Sequence, residues 1–269
     1  MNVKLITEKV LKLIKNPLSL FRRLRQNILL KQIPDRDLLL PWNDMEILVR
    51  SPHKSIIGRS LLFKKIWEPD VTKFITSWIK PGMVALDIGA DIGYYTLLFA
   101  KIVGPKGKIY SFEPIPEAKW YLDKNIKNNN LNNVKTFSFA LFDKQGNVCL
   151  EDPFIKSKIN LSKKTLRDND IMVEMKIFDS WRLNDITEKV DLVKIDVEGS
   201  EINTLRGMKA TLQNEHPAIL VEVHPHQLKS FGFIANDLVK FLKTFAYKIT
   251  PINKKTIDFS RGNITLFCE

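Results

Sequence analysis

The chain has 269 residues, 44% of them apolar, and 42 Lys and Arg against 30 Asp and Glu give it a net charge of +12. A chain this long buries roughly 70–75% of its unfolded surface and needs no staples, and its two cysteines, Cys149 and Cys268, form no spaced cluster, which argues against a zinc site or a secreted disulfide scaffold. No apolar run approaches the roughly 20 residues of a membrane-spanning helix, and Lys4, Glu8, Lys9 and Lys12 interrupt any signal-peptide core, so the expectation is a cytoplasmic protein with free thiols.

Residues 3–14, VKLITEKVLKLI, put Val3, Ile6, Val10, Leu13 and Ile14 on one helical face opposite Lys4, Glu8, Lys12 and Lys15. Pro17 ends or kinks this helix, and FRRLRQ continues its basic pattern. Residues 1–80 carry 16 Lys and Arg against 7 Asp and Glu, whereas residues 81–269 carry 26 against 23, so the excess charge belongs to the first segment. Two readings of the helix stand: packing of its apolar stripe on the main domain, or peripheral contact of residues 1–31 with a membrane surface. Prolines at 34, 41, 52 and 69 and short runs such as MEILV predict a small strand-and-loop cap over 31–80, closing with a helix from about Val71 to Ile79.

From Pro81 the pattern changes. Strand-like runs at 83–88, 108–112, 134–139, 190–195 and 218–223 alternate with helical windows near 93–103, 116–129, 200–213 and 234–246, followed by a closing pair around 247–250 and 263–268. That rhythm predicts an α/β domain over 81–269 built on a parallel sheet. The polar, Lys-rich interval 143–180 breaks it and reads as an insertion with a hairpin.

In such sheets ligands bind beyond the carboxyl ends of the strands. The first run leads into Asp87, Gly89, Ala90, Asp91 and Gly93, glycines that permit a tight turn and close approach of a ligand. The G-x-G-x-x-G of a dinucleotide site is absent, and Asp87 and Asp91 bring negative charge that a pyrophosphate would meet unfavourably and a cationic ligand favourably. That charge points to S-adenosylmethionine. Glu113, followed by Pro114, stands 20 residues beyond Gly93, the distance at which an acidic residue meets ribose hydroxyls. Ala140, Leu141 and Asp143 follow the third run, where the adenine edge is expected; a simple turn at Asp143 explains them nearly as well.

The fourth run delivers Lys194, Asp196 and Glu198, with Gly199 for a turn and Ser200 to cap the next helix; the fifth ends in Glu222 and His224. Residues two apart in extended chain share a side, so both strand ends direct polar groups into one crevice. Such a set suits general-base work, with His224 or Asp196 as the base. It can also hold a divalent metal through oxygen ligands, which the reading does not require. The plainer alternative is a structural Glu222–Lys194 ion pair with His224 capping a loop.

In order and spacing, KPGMVALDIGADIGYYTLLFAK (80–101), GKIYSFEPIPE (107–117), ALFDKQG (140–146), FDSW (178–181), VDLVKIDVEGSE (190–201) and ILVEVH (219–224) resemble the FkbM family of methyltransferases, with WEPD (67–70) as the lead-in. The resemblance covers roughly residues 65–269. It implies a Rossmann-like class I sheet of seven strands with helices on both faces and an antiparallel last strand. It also implies S-adenosylmethionine as cofactor and O-methylation of a sugar, glycolipid, polysaccharide or natural product. Gly89, Gly93 and Asp87 would then shape the cofactor loop, Glu113 would hold the ribose, and Asp196, Glu198, Glu222 and His224 would face the acceptor. Asp179 matches a family Asp, and Asp91 stands where the family usually has Asn.

Two other readings compete. One is a degenerate fold that docks on membrane or RNA through its basic N-terminus, although no aromatic-basic nucleic-acid motif appears. The other is a nicotinamide oxidoreductase, against which the missing glycine pattern and Asp91 both speak.

Overall fold

The computed structural model describes residues 25–151, 158–160, 170–252, 254 and 256–269. The amphipathic stretch 3–14 lies outside them, as do residues 152–157 and 161–169 of the 143–180 interval. The chain divides into two compact units, one up to Trp67 and one from Glu68 onward.

In the first unit, strands β1 (Leu38–Trp42) and β2 (Met45–Val49) form an antiparallel hairpin. Asn43 and Asp44 turn it with φ of 49° and 57°, the positive pair that matches the twist of the flanking strands. Helix α1 (Ile56–Lys64) follows, started by Ser55, whose side chain accepts the Gly58 amide. This helix was not expected, because IIGRSLLFK has only a weak apolar stripe.

The second unit opens with α2 (Pro69–Trp78), where Pro69 sits in the first turn. Then come β3 (Val84–Ile88), α3 (Tyr94–Val103), β4 (Lys108–Phe112), α4 (Pro116–Asn128) and β5 (Val134–Phe137). After the 143–180 interval follow β10 (Leu192–Ile195), helices α6 (Glu201–Arg206) and α7 (Lys209–Asn214), β11 (Ala218–Val223), α8 (Pro225–Leu228), α9 (Ala235–Lys243), β12 (Ile249–Pro251) and β13 (Ile264–Cys268). The seven-stranded sheet runs β12-β13-β11-β10-β3-β4-β5, with β13 antiparallel to its neighbours, as expected for the class I arrangement. Every residue of β3, β10 and β13 is buried, because helices cover both faces and leave no room for alternation.

Two windows depart from their expected form. The run over 134–139 divides: Phe137 ends β5, while Ala140–Leu141 form β6 and turn into a second sheet of order β6-β9-β7-β8. That sheet holds β7 (Gly146–Glu151), β8 (Lys158–Asn160) and β9 (Ile171–Lys176), with β7 and β8 paired antiparallel. The division follows from Phe137 and Phe139, whose rings lie 4.6 and 5.0 Å from that of Trp181 and anchor the crossing. The helical window 200–213 splits at Gly207, whose chain passes the Phe142 carbonyl so closely that a Cβ would lie 2.2 Å from its oxygen. Asp179, in the short helix α5 (Phe178–Trp181), then starts α7 afresh by accepting the amides of Ala210 and Thr211 at 2.7 and 3.1 Å. Its part in the fold is thus a helix cap supplied from another, distant helix.

Among the described residues no helix is long and apolar enough to cross a membrane.

Candidate functional site

The chain leaves β3 toward β4 and β5 on one side and returns with β10 and β11 on the other, so strand order reverses beside β3. A crevice opens at such a point, and the loops after β3 and β10 meet in it. They touch closely: a Cβ at Gly89, where φ is +76°, would lie 1.9 Å from the Asp196 carbonyl oxygen. The space a Cβ would take at Gly89 is therefore filled by the chain itself. The amides of Gly89 and Ala90 both donate to the Phe112 carbonyl, tying the turn to β4 as well.

Acidic groups surround this turn. Asp87 is fully buried; one oxygen accepts the Thr96 hydroxyl at 2.6 Å, and the other lies 3.2 Å from Lys194 Nζ. Glu113, only 4% exposed, accepts the amides of Asp91 and Ile115 at 2.8 and 2.9 Å. Burial first, and then the charge of Asp91, push its carboxyl up to about 8. Asp91 is exposed and left-handed at φ 47°, a conformation in which Asp and Asn are the least strained non-glycines. Pro114 is half-buried beside Glu113. Ala140 and Leu141 lie in β6, where the Thr204 hydroxyl donates to the Leu141 carbonyl, and Asp143 accepts the Asn203 amide at 2.9 Å.

The other candidates converge. His224 Nε2 lies 3.6 Å from Asp196 Oδ1, 3.6 Å from Glu198 Oε2 and 3.8 Å from Glu222 Oε1. The period-2 reading of the two strand ends thus describes their geometry. Lys194 does not pair with Glu222; it is shared between Asp87 and, at 3.9 Å, Asp196, while Glu222 accepts from Asn263. Burial opposes the Lys194 charge, but these two carboxylates outweigh it and hold its pKa above the usual range. Ser200 occupies the cap position of α6, yet its hydroxyl donates to the Val197 carbonyl rather than capping the helix.

Burial likewise opposes protonation of His224, but the Glu201 hydrogen bond and the charges of Asp196 and Glu198 prevail and raise it to about 9. Glu222 is pushed up to about 7, by burial and by Asp196.

Two contributors escape the motif reading. Glu201, fully buried, bonds His224 Nδ1 at 2.7 Å and also takes the Gly199 amide. Its position opening a helix gave no sign of a partner 23 residues away. Glu68 accepts the Tyr95 hydroxyl at 2.7 Å and lies within hydrogen-bonding reach of Glu222. Glu68, Asp91 and Glu198 are all non-glycines with positive φ, at 40°, 47° and 50°. Strain of this kind, of order 1–3 kcal/mol each, collects at functional sites.

The residues around the turn fit S-adenosylmethionine. Asp87, Asp91 and Glu113 suit its ammonium, sulfonium and ribose hydroxyls, with Asp87 itself already held by Lys194 and Thr96.

The family model described as methyltransferase FkbM domain matches residues 87–249. Hexuronic acid methyltransferase AglP of Haloferax volcanii is 26% identical over 199 residues, covering 72% of this chain and 76% of that protein. The 2-O-methyltransferase NoeI of Sinorhizobium fredii is 30% identical over 149 residues, 49% of this chain and 60% of that protein. The crystal structure of an FkbM methyltransferase from Methylobacillus flagellatus superposes with a TM-score of 0.51 at 16% identity, over 77% of this chain and 49% of that one, a likeness of fold.

Proposed function

This chain belongs to the FkbM methyltransferase family, and from that premise we propose that it methylates a hydroxyl oxygen of a sugar-type acceptor with S-adenosylmethionine as donor. The observation that carries this reading is the junction at Gly89, where the acidic turn abuts the backbone of Asp196 and so adjoins the cluster around His224. The names of AglP and NoeI support a glycan or small-molecule acceptor. Bound S-adenosylmethionine supplies an electrophilic methyl for in-line displacement.

The chain's own residues bind, orient and take a proton. Glu113 accepts from the ribose diol, and Asp87 and Asp91 face the cationic methionyl end. Ala140, Leu141 and Asp143 border the adenine. Lys194 fixes Asp196 and offsets the buried charge of Asp87. His224 keeps its proton near neutral pH, so the base passes from the imidazole to a carboxylate. We assign that role to Glu222: Asp196 is engaged by Lys194 and Glu198 is exposed, whereas burial and the charge of Asp196 raise Glu222 to about 7. Positioning the hydroxyl in line carries most of the rate, and the base about 10²–10⁴.

Two outcomes follow. Glu222→Gln lowers kcat by about 10²–10⁴ on a uronic-acid glycoside while calorimetry finds an unchanged cofactor Kd; a loss confined to Kd would refute the assignment. Asp91→Asn removes a charge that raises Glu113, so the pH midpoint of cofactor affinity moves down. A midpoint that stays in place or moves up would separate Asp91 from Glu113. If the wild-type chain binds no S-adenosylmethionine calorimetrically, the reading itself fails.

A further inference from the structure

We infer that Asp196, Glu198 and His224 form a binding site for one divalent first-row transition-metal ion, of the Mn²⁺ to Zn²⁺ kind, at the acceptor side of the crevice. One ligand atom from each residue lies within 4.8 Å of the other two. Bonds of about 2.0–2.2 Å from a shared ion set its ligand atoms roughly 3–4 Å apart, so a small inward movement of side chains closes the shell.

The imidazole provides the independent observation. His224 is 2% exposed, its Nδ1 is engaged by buried Glu201, and among the described residues its Nε2 makes no hydrogen bond although three carboxylates face it. The nearest oxygens stand at 3.6 Å, beyond the 2.7–3.2 Å of an N–H···O bond. That spacing suits an ion between nitrogen and oxygens better than direct contact. A histidine fixed through its far nitrogen by a carboxylate is the usual outer-shell support of a ligating ring, since it sets the tautomer and aims the lone pair. Ion binding displaces whatever proton Nε2 carries.

Charge argues the same way. Asp196, Glu198, Glu222 and Glu68 gather here, and Lys194, the nearby lysine, is shared with Asp87. One imidazole nitrogen with carboxylate oxygens is a mixed donor set, suited to borderline first-row ions more than to Mg²⁺ or Ca²⁺, which prefer oxygen alone. Glu222 remains outside the three ligands. The ion's role rests on the methyltransferase reading: beside the acceptor hydroxyl it would act as a Lewis acid and ease loss of the proton to Glu222.

The test uses the full chain, freed of metal, without cofactor or acceptor. Loss of the free Mn²⁺ electron paramagnetic resonance signal should report one ion per chain, with Mg²⁺ competing at least tenfold more weakly. Glu198→Ala, an exposed position that leaves the core intact, should weaken Mn²⁺ at least tenfold, and Asp196→Asn likewise. No uptake up to about 1 mM Mn²⁺, or uptake unchanged in both variants, overturns the inference. Calorimetry of S-adenosylmethionine in the presence of EDTA separates the two failures. Cofactor binding without Mn²⁺ uptake sinks only the metal site; Mn²⁺ uptake without cofactor binding sinks only the assigned role.

Discussion

Exchanging Glu113 for glutamine is expected to weaken S-adenosylmethionine binding about a hundredfold and to flatten its pH dependence. A carboxylate that accepts from both ribose hydroxyls makes two charge-assisted bonds, each contributing about 1.5–3 kcal/mol, and a neutral amide offers one plain acceptor in their place. A net loss of about 3 kcal/mol corresponds to roughly two decades in Kd. In the wild-type chain the buried carboxyl holds its proton up to about pH 8. Below that point binding must expel the proton, so affinity falls about tenfold per pH unit as the solution is acidified and levels off above it. Stability of the cofactor-free protein runs the opposite way. A carboxyl raised from 4.5 to about 8 on folding favours the fold while protonated. That contribution is lost as pH rises between those values. Calorimetric titrations across about pH 6–9 and urea midpoints over about pH 5–9 measure the two trends. Equal Kd values for wild type and Glu113→Gln at every pH would remove Glu113 from the cofactor site.

The sequence disclosed this fold because its parallel strands are buried on both faces and therefore read as unbroken apolar runs. KIYSF and AILVEV coincide with β4 and β11 residue for residue. The candidate site was legible where chemistry follows a strand end: period-2 spacing brings Asp196 with Glu198 and Glu222 with His224 into one crevice. What stayed hidden depends on contacts between distant segments. Glu201 is one acidic residue in a helix's first turn until the chain folds His224 onto it. The break at Gly207 arises because Phe142 and Asp179 arrive from elsewhere, not from a local helix breaker; Gly alone costs a helix only about 1 kcal/mol. Gly89 had a visible role in the turn, but its neighbour was invisible, since Asp196 is 107 residues further along the chain.

That neighbour makes Gly89→Ala the most damaging single-methyl change expected in the crevice. Two costs add there. A left-handed φ of +76° penalises any Cβ by about 1–2 kcal/mol. The methyl also meets the Asp196 carbonyl oxygen at 1.9 Å and its carbon at 2.8 Å, backbone atoms that no rotamer change can remove. Relief requires the loops to part by more than about 1 Å, which tilts the carboxylate of Asp196 away from His224 and loosens the pairing of Lys194. A displacement of that size can cost about a hundredfold in rate. Gly82→Ala supplies the comparison, because φ there is +84° while nothing stands within 4 Å of the new methyl. It carries the backbone cost alone. Urea denaturation should therefore find Gly82→Ala lower than wild type by about 1–2 kcal/mol, with methyl transfer intact, and Gly89→Ala lower still, with transfer nearly lost. If the two variants lose equal stability and equal activity, the loops are not held together at Gly89. The joint between the proposed cofactor turn and the proposed catalytic cluster must then lie elsewhere in the crevice.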